Sequence, residues 1–181
     1  MANTKKYVIT SITLGIIAAA SAGLIGLANL ATKDKIAENE MNKIKSGLVE
    51  IFGKNATIGE SKSVNEIKDK IGANRPYLEH YYSLKEDENT IGYAFRTSGS
   101  NEYGKITLIV GFINNSEATF KGMSVVVNEQ TFATTLVENY IDPVNGGKRD
   151  ISDTSCDATY GATLIKNMIN EAQEATKKLV E

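Results

Sequence analysis

Cysteine and histidine each occur once in this chain, at Cys156 and His80. A single cysteine excludes an intramolecular disulfide. One Cys and one His cannot supply the spaced ligand sets of a zinc site or of a covalently attached haem. An excess of one charge is missing too: 20 basic residues stand against 22 acidic ones, for a net charge of −2. Neither sign is gathered into blocks, so there is no footing for nucleic acid. A dinucleotide-type glycine fingerprint is also lacking, and NAD binding is not indicated. His80, in Leu-Glu-His-Tyr-Tyr, has no second ligand beside it and reads as an ordinary surface or half-buried histidine.

What is present begins with Tyr7–Leu30, a run without a charged residue. As a helix it would reach roughly 36 Å, against a hydrocarbon core of ~30 Å. The expectation is therefore a retained N-terminal transmembrane helix. A cleaved secretory signal is the rival reading, since Ala18 to Gly23 are small, but signal apolar cores are usually about 7–15 residues. Lys5 and Lys6 precede the run, and Lys33 and Lys35 follow it. The short basic N-terminus favours the N-terminus inside the cytoplasm and the rest of the chain outside it. Gly15, Ala19 and Gly23 recur every four residues, a spacing that lets another helix approach closely.

Beyond the run, Ala37, Met41, Ile44, Leu48 and Ile51 form one apolar stripe, which predicts a helix over Asp34–Phe52 with Gly53 as its cap. Residues 54–89 are polar and weakly patterned, with a short helix expected at Ser63–Ile71 and an interruption at Pro76. Ile91, Tyr93 and Phe95 alternate with Gly92, Ala94 and Arg96. Ile106, Leu108, Val110 and Phe112 share a second face. Asn114-Asn115-Ser116 supplies a turn, and Thr119–Val127 reads as the returning strand. Gln130–Tyr140 could form a short helix. The expected fold is α+β: an N-terminal transmembrane helix, then one small domain with an antiparallel sheet flanked by helices. The expected divisions are residues 1–31 (anchor), 32–53 (juxtamembrane helix) and 54–181 (folded domain). A domain of about 130 residues can bury its own core.

The stretch Ser155-Cys156-Asp157-Ala158-Thr159-Tyr160-Gly161-Ala162-Thr163 runs into the last helical pattern. Ile165, Met168, Ile169, Ala172 and Leu179 line one face of a helix expected over Leu164–Val180. Thr163 would then stand at a helix N-terminus, where unpaired N–H groups and a partial positive charge suit a phosphate. Gly161 and Ala162 are small, so a ligand or a modifying enzyme can come close. The plainer reading is that Thr163 is an ordinary N-cap. Cys156, with no basic neighbour in sequence, reads as a small buried residue.

This motif, Gly-Ala-Thr preceded by Asp157, resembles the FMN-carrying subunits of bacterial respiratory complexes. These are the G subunit of the Rnf complex and the C subunit of the sodium-translocating NADH:quinone reductase. The run Ile36-Ala37-Glu38-Asn39-Glu40 resembles the family's juxtamembrane segment. Gly104-Lys105-Ile106-Thr107-Leu108-Ile109-Val110-Gly111 and Lys121-Gly122-Met123-Ser124-Val125-Val126-Val127 follow in the family's order, with Glu129 and Thr131 after them. The resemblance implies FMN joined to Thr163 through a phosphoester, with Tyr160, Gly161, Ala162, Asp157 and Thr131 as cofactor-binding residues. Asp157 would belong to the recognition segment or the helix start. In this chain Tyr160 stands where the family has Ser or Thr, and Phe132-Ala133-Thr134-Thr135 replaces a Pro-Gly loop.

The implied function is a membrane-anchored electron-transfer subunit of an Rnf-type ion-translocating complex, a redox subunit rather than an enzyme by itself. The implied partners are other membrane subunits of such a complex and an FMN transferase. The implied location is the cell membrane, single-pass, with the N-terminus cytoplasmic and the domain extracytoplasmic. The alternative is a flavin-free membrane-anchored module of the same fold, serving assembly or extracellular binding.

Overall fold

The computed structural model describes residues 2–72 and 74–181, with side chains described at 7, 11–24, 26, 32, 35–72 and 74–181. The chain divides into two compact units, residues 1–42 and 43–181. The first helix, α1 (Ala2–Phe52), is continuous over 51 residues, so the stripe expected at Asp34–Phe52 is the last part of a much longer element.

The transmembrane helix expected at Tyr7–Leu30 is corrected: among the described residues no helix is long and apolar enough to cross a membrane. Of the expected span, side chains are described at Tyr7, residues 11–24 and Gly26, and the rest lie outside those described. The side chains of Lys5, Lys6 and Lys33, on which the expected orientation rested, lie outside those described. Ile12, Leu14, Ile16, Ile17 and Leu24 are exposed. A β-carbon added at Gly15 or Gly23 would meet nothing within 4 Å.

The second unit is a five-stranded antiparallel sheet with helices, as expected. Its strands are β1 (Thr57–Ser63), β2 (Leu78–Glu86), β3 (Asn89–Asn101), β4 (Gly104–Ile113) and β5 (Phe120–Asn128). They lie in the order β1-β2-β3-β4-β5. The short helix α2 (Val64–Ile71) falls where it was expected. Its start is fixed by the Ser63 N–H, which donates to Glu66 Oε1 at 3.0 Å. After β5 come α3 (Ala133–Leu136), a π-helical turn (Val137–Ile141), α4 (Asp142–Asn145) and the long α5 (Thr159–Val180).

Both faces of the sheet are covered. On one face Phe95, Ile106, Leu108, Val110 and Phe112 pack with Ile165, Met168, Ile169 and Ala172 of α5. On the other, Ile44 and Leu48 of α1 pack with Tyr82, Leu84, Ala94, Ile109 and Val126. Each of the fully buried large side chains contributes about 1.5–3 kcal/mol by leaving water. Where the end of α1 comes closest the sheet has a glycine: a β-carbon at Gly111 would sit 2.6 Å from Ile51 Cγ2.

Two-sided burial explains the strands that alternation missed. In β2, Tyr81, Tyr82, Ser83 and Leu84 are buried in succession. Tyr81 belongs to one core cluster and Tyr82 and Leu84 to the other, so no period of two survives in the sequence. β1 is an edge strand and almost wholly exposed, with the ion pair Lys62–Glu60 at 3.0 Å on its surface. It has no apolar face to detect.

Four tyrosines are built into this layering. Burial is the leading cause that raises Tyr82, Tyr93 and Tyr140 above the ordinary phenol value, and it pushes Tyr81 up to about 12. The Tyr140 hydroxyl donates to Ile151 O at 2.6 Å, which ties the loop before α5 to the π-helical turn. A folded-state value above the unfolded one gives stability that is complete below about pH 10 and declines as pH rises beyond it. The denaturant midpoint should therefore fall between about pH 9 and about pH 11.5. Tyr81→Phe, which removes one titrating hydroxyl, should flatten that fall. A wild-type midpoint unchanged over this range would contradict the assignment.

Candidate functional site

The last helix starts earlier than its apolar pattern suggests. α5 begins at Thr159, not at Leu164, so Thr163 is its fifth residue and not its terminus. The reason lies in the preceding loop. Asp150 accepts from the Ser152 N–H at 2.7 Å, and Asp153 accepts from the Ser155 N–H at 3.1 Å. Arg149 Nη1 donates to Asp153 Oδ2 at 2.8 Å and to Ser155 O at 3.2 Å. Thr159 Oγ1 then donates back to Cys156 O. These turns deliver the chain at Ala158 in position to begin the helix, and the Ala162 N–H donates to Ala158 O at 3.0 Å. The N–H groups left over by the helix therefore belong to residues 159–161. The capping role considered for Thr163 does not apply. Ala158, which precedes the helix, has no capping oxygen.

Next to this helix start lies a cleft of about 190 Å³. It forms at one end of the sheet, where the β3–β4 turn, the β5–α3 connection and α5 converge. The β3–β4 turn supplies Tyr103, and the β5–α3 connection supplies Gln130 and Phe132. Leu136 comes from α3, and Tyr160 and Gly161 come from α5. The ring centroid of Tyr103 lies 5.3 Å from that of Tyr160 and 6.1 Å from that of Phe132. Tyr160 is 62% exposed and Phe132 50%, so both rings are open to a ligand.

The cleft is braced from behind. Tyr103 O accepts from both the N–H and the Oγ1 of Thr131, at 2.8 and 3.1 Å. The Tyr103 N–H donates to Asn101 Oδ1 at 2.9 Å. Gln130 is buried, with Nε2 donating to Asn101 Oδ1 at 3.2 Å and to Gly104 O. Gly161 makes the close approach possible. A β-carbon there would lie 2.8 Å from Leu136 Cδ2 and 3.3 Å from Gln130 Oε1.

The expected site residues separate into three groups. Tyr160, Gly161 and Asp157 line the cleft. Thr131 stands behind it as the support of Tyr103. Ala162 is fully buried in the core, while Thr163 is half-buried and lies outside the lining. Thr163 follows Tyr160 by three residues, which makes the two neighbours on the helix surface. Helical side chains lean toward the N-terminus, so Thr163 leans toward the cleft end of α5. Asp157 accepts from Asn139 Nδ2 at 3.4 Å and also lines a second, polar groove of about 350 Å³ with Arg149 and Cys156. Cys156 is half-buried there, not buried, and shares its groove with a basic residue that lies seven positions earlier in sequence. Tyr103, Gln130 and Leu136 were not anticipated. They sit in turns and a one-turn helix, where no periodicity marks them. Phe132 occupies the place of the missing Pro-Gly loop and forms a wall.

Three aromatic rings packed on one another, with an amide at the back, offer a surface on which the flat face of a heteroaromatic ring can stack. Among the described residues no cation lines the cleft. Lys166, three residues after Thr163, is the nearest basic residue along that face of α5 by helical spacing.

Gly161→Ala should destabilise the domain. Overpacking against the fully buried Leu136 costs about 1–3 kcal/mol, offset by up to about 1 kcal/mol of helix propensity. A net loss of about 1 kcal/mol should lower the melting temperature by about 3–5 °C. An unchanged melting temperature would show that the close packing of α5 on α3 is not as described.

Residues 1–51 match the family model of the RnfG N-terminal region. This match supports the RnfG family, and with it an Rnf complex subunit in electron transport, with other Rnf subunits as partners and association with the membrane. FMN is the cofactor of that family. The match ends before the sheet and the cleft. No curated protein matches the chain.

Proposed function

We propose, on the premise that this chain is an RnfG-family subunit of an Rnf complex, that it relays electrons through FMN joined by a phosphoester to Thr163. The observation that carries this reading is the aromatic cleft one helical turn before Thr163. When bound, FMN supplies the redox chemistry. The rest falls to the chain. Tyr160, Tyr103 and Phe132 offer ring faces for stacking. Gly161 lets α5 pack closely on Leu136 and Gln130 at the wall of the cleft. The leftover N–H groups at residues 159–161 and the positive end of the helix dipole favour a phosphate nearby, and Lys166 adds a charge of the same sign. The Thr163 hydroxyl is the attachment atom, and a separate FMN transferase makes the bond.

In this reading the domain works on the outer side of the membrane and is held there by the other subunits. The exposed apolar side chains of α1, such as Leu14 and Ile16, support packing against them. The protein is one relay in a larger path, and the donor and acceptor belong to its partners.

The test is co-expression with an FMN transferase in an exporting host. The wild type should give a fluorescent band that survives denaturation, and Thr163→Ala should give none. Because Thr163 is inside the helix and caps nothing, Thr163→Ala should leave stability within about 0.5 kcal/mol of wild type. Thr163→Ser should keep some flavin. An Ala variant that retains the fluorescent band would overturn Thr163 as the attachment point. A wild type without flavin would favour the flavin-free module.

A further inference from the structure

We infer that Gln130 is a specificity-determining residue of the cleft, presenting a fixed hydrogen-bond acceptor that selects a ring bearing an N–H donor. The inference rests on the proposed flavin reading and adds the polar rule by which the ring would be chosen and oriented.

Gln130 is 6% exposed, yet it lines the cleft. Its amide is locked. Nε2 donates to Gly104 O and to Asn101 Oδ1, and the backbone N–H donates to Asn128 Oδ1 at 3.2 Å. The alternative amide orientation would set Oε1 against the Gly104 carbonyl, oxygen facing oxygen, so only one orientation satisfies both ends. That orientation turns Oε1 toward Gly161, on the cleft wall. Among the described residues, no protein donor reaches Gln130 Oε1. The oxygen is not closed off inside the protein, so a ligand or a water in the cleft can donate to it. Beside it stand the Tyr103 and Tyr160 rings, packed on each other, and Leu136, while Asp157 and Thr159 line the cleft from the start of α5.

The cleft therefore asks for a planar group with a donor at its edge. The oxidised isoalloxazine ring carries one such donor, its imide N–H. Gln130 Oε1 accepts from that N–H, and the aromatic walls take the ring faces. A planar ring of the same size without an edge donor would leave the oxygen unpaired and bind more weakly.

The experiment uses the full chain purified from a host without an FMN transferase, and two small probes without phosphate. One is lumiflavin. The other is lumiflavin methylated at the imide nitrogen. Binding is read by flavin fluorescence. Wild type should hold lumiflavin at least about tenfold more tightly than its methylated form. Gln130→Lys keeps a donor toward Gly104 O and removes the acceptor, so its preference should shrink to about twofold or less. Gln130→Met, close in size but without either polar function, should lose the preference as well. The melting temperature of each variant identifies any that has unfolded, and the wild-type comparison stands without them.

Equal binding of the two probes by wild type would overturn the inference, and so would a preference that persists in both variants. Failure of wild type to bind lumiflavin at all would overturn it too. None of these outcomes depends on Thr163, whose attachment role is read separately from the denaturation-resistant band. A fluorescent band together with equal probe binding would therefore sink the role of Gln130 and leave the Thr163 reading standing.

Discussion

The contact that the rest of the site depends on has no room for a side chain. Gly161 lies against Leu136 and Gln130, and a single added carbon would be 2.8 Å from Leu136. This contact fixes where α5 begins relative to α3. It also fixes the distance between the Tyr160 ring on α5 and the Tyr103 ring on the β3–β4 turn. If α5 moved away by the width of a methyl group, the aromatic cleft would widen. Gln130 would then lose the wall toward which its oxygen points. One close packing contact thus sets both the geometry of the cleft and its polarity.

Behind this contact stands a sheet buried on both faces. Both faces carry large side chains, and on the α1 side Gly92 and Gly111 leave room for Phe52 and Ile51. Only the second unit takes part in this arrangement, so the cleft belongs to a body with its own core. α5 serves twice. Its apolar face, Ile165 to Ala172, closes the core, and its first turn forms a wall of the cleft.

Much of this was legible in the residues, and what was not has identifiable causes. β4 was readable because Ile106, Leu108, Val110 and Phe112 keep a period of two, β3 because Ile91, Tyr93 and Phe95 do, and β5 because a turn at Asn114-Asn115-Ser116 precedes it. β2 was hidden because Tyr81 to Leu84 are buried in succession toward both faces, so its apolar and polar residues do not alternate. The start of α5 was placed at Leu164 because the apolar stripe begins at Ile165. The helix begins at Thr159 because the turn network at Asp150, Asp153 and Arg149 delivers the chain there, and such networks leave no periodic trace. Tyr160 and Gly161 were found through a motif. Tyr103 and Gln130 were missed because they reach the cleft through turns that are remote from one another in sequence.

The order of the strands in the sheet has a consequence for how the domain comes into being. Every strand pairs with its neighbours in the chain, β1 with β2 through to β4 with β5. Such a meander assembles from short loop closures, which cost little entropy and form quickly. α5 is different: it follows all five strands, and it packs most on β3, far back in sequence. The sheet can thus fold as a chain of hairpins while its α5 face is still bare. The cleft exists only after α5 has docked, so Thr163 reaches its folded surroundings late and not before.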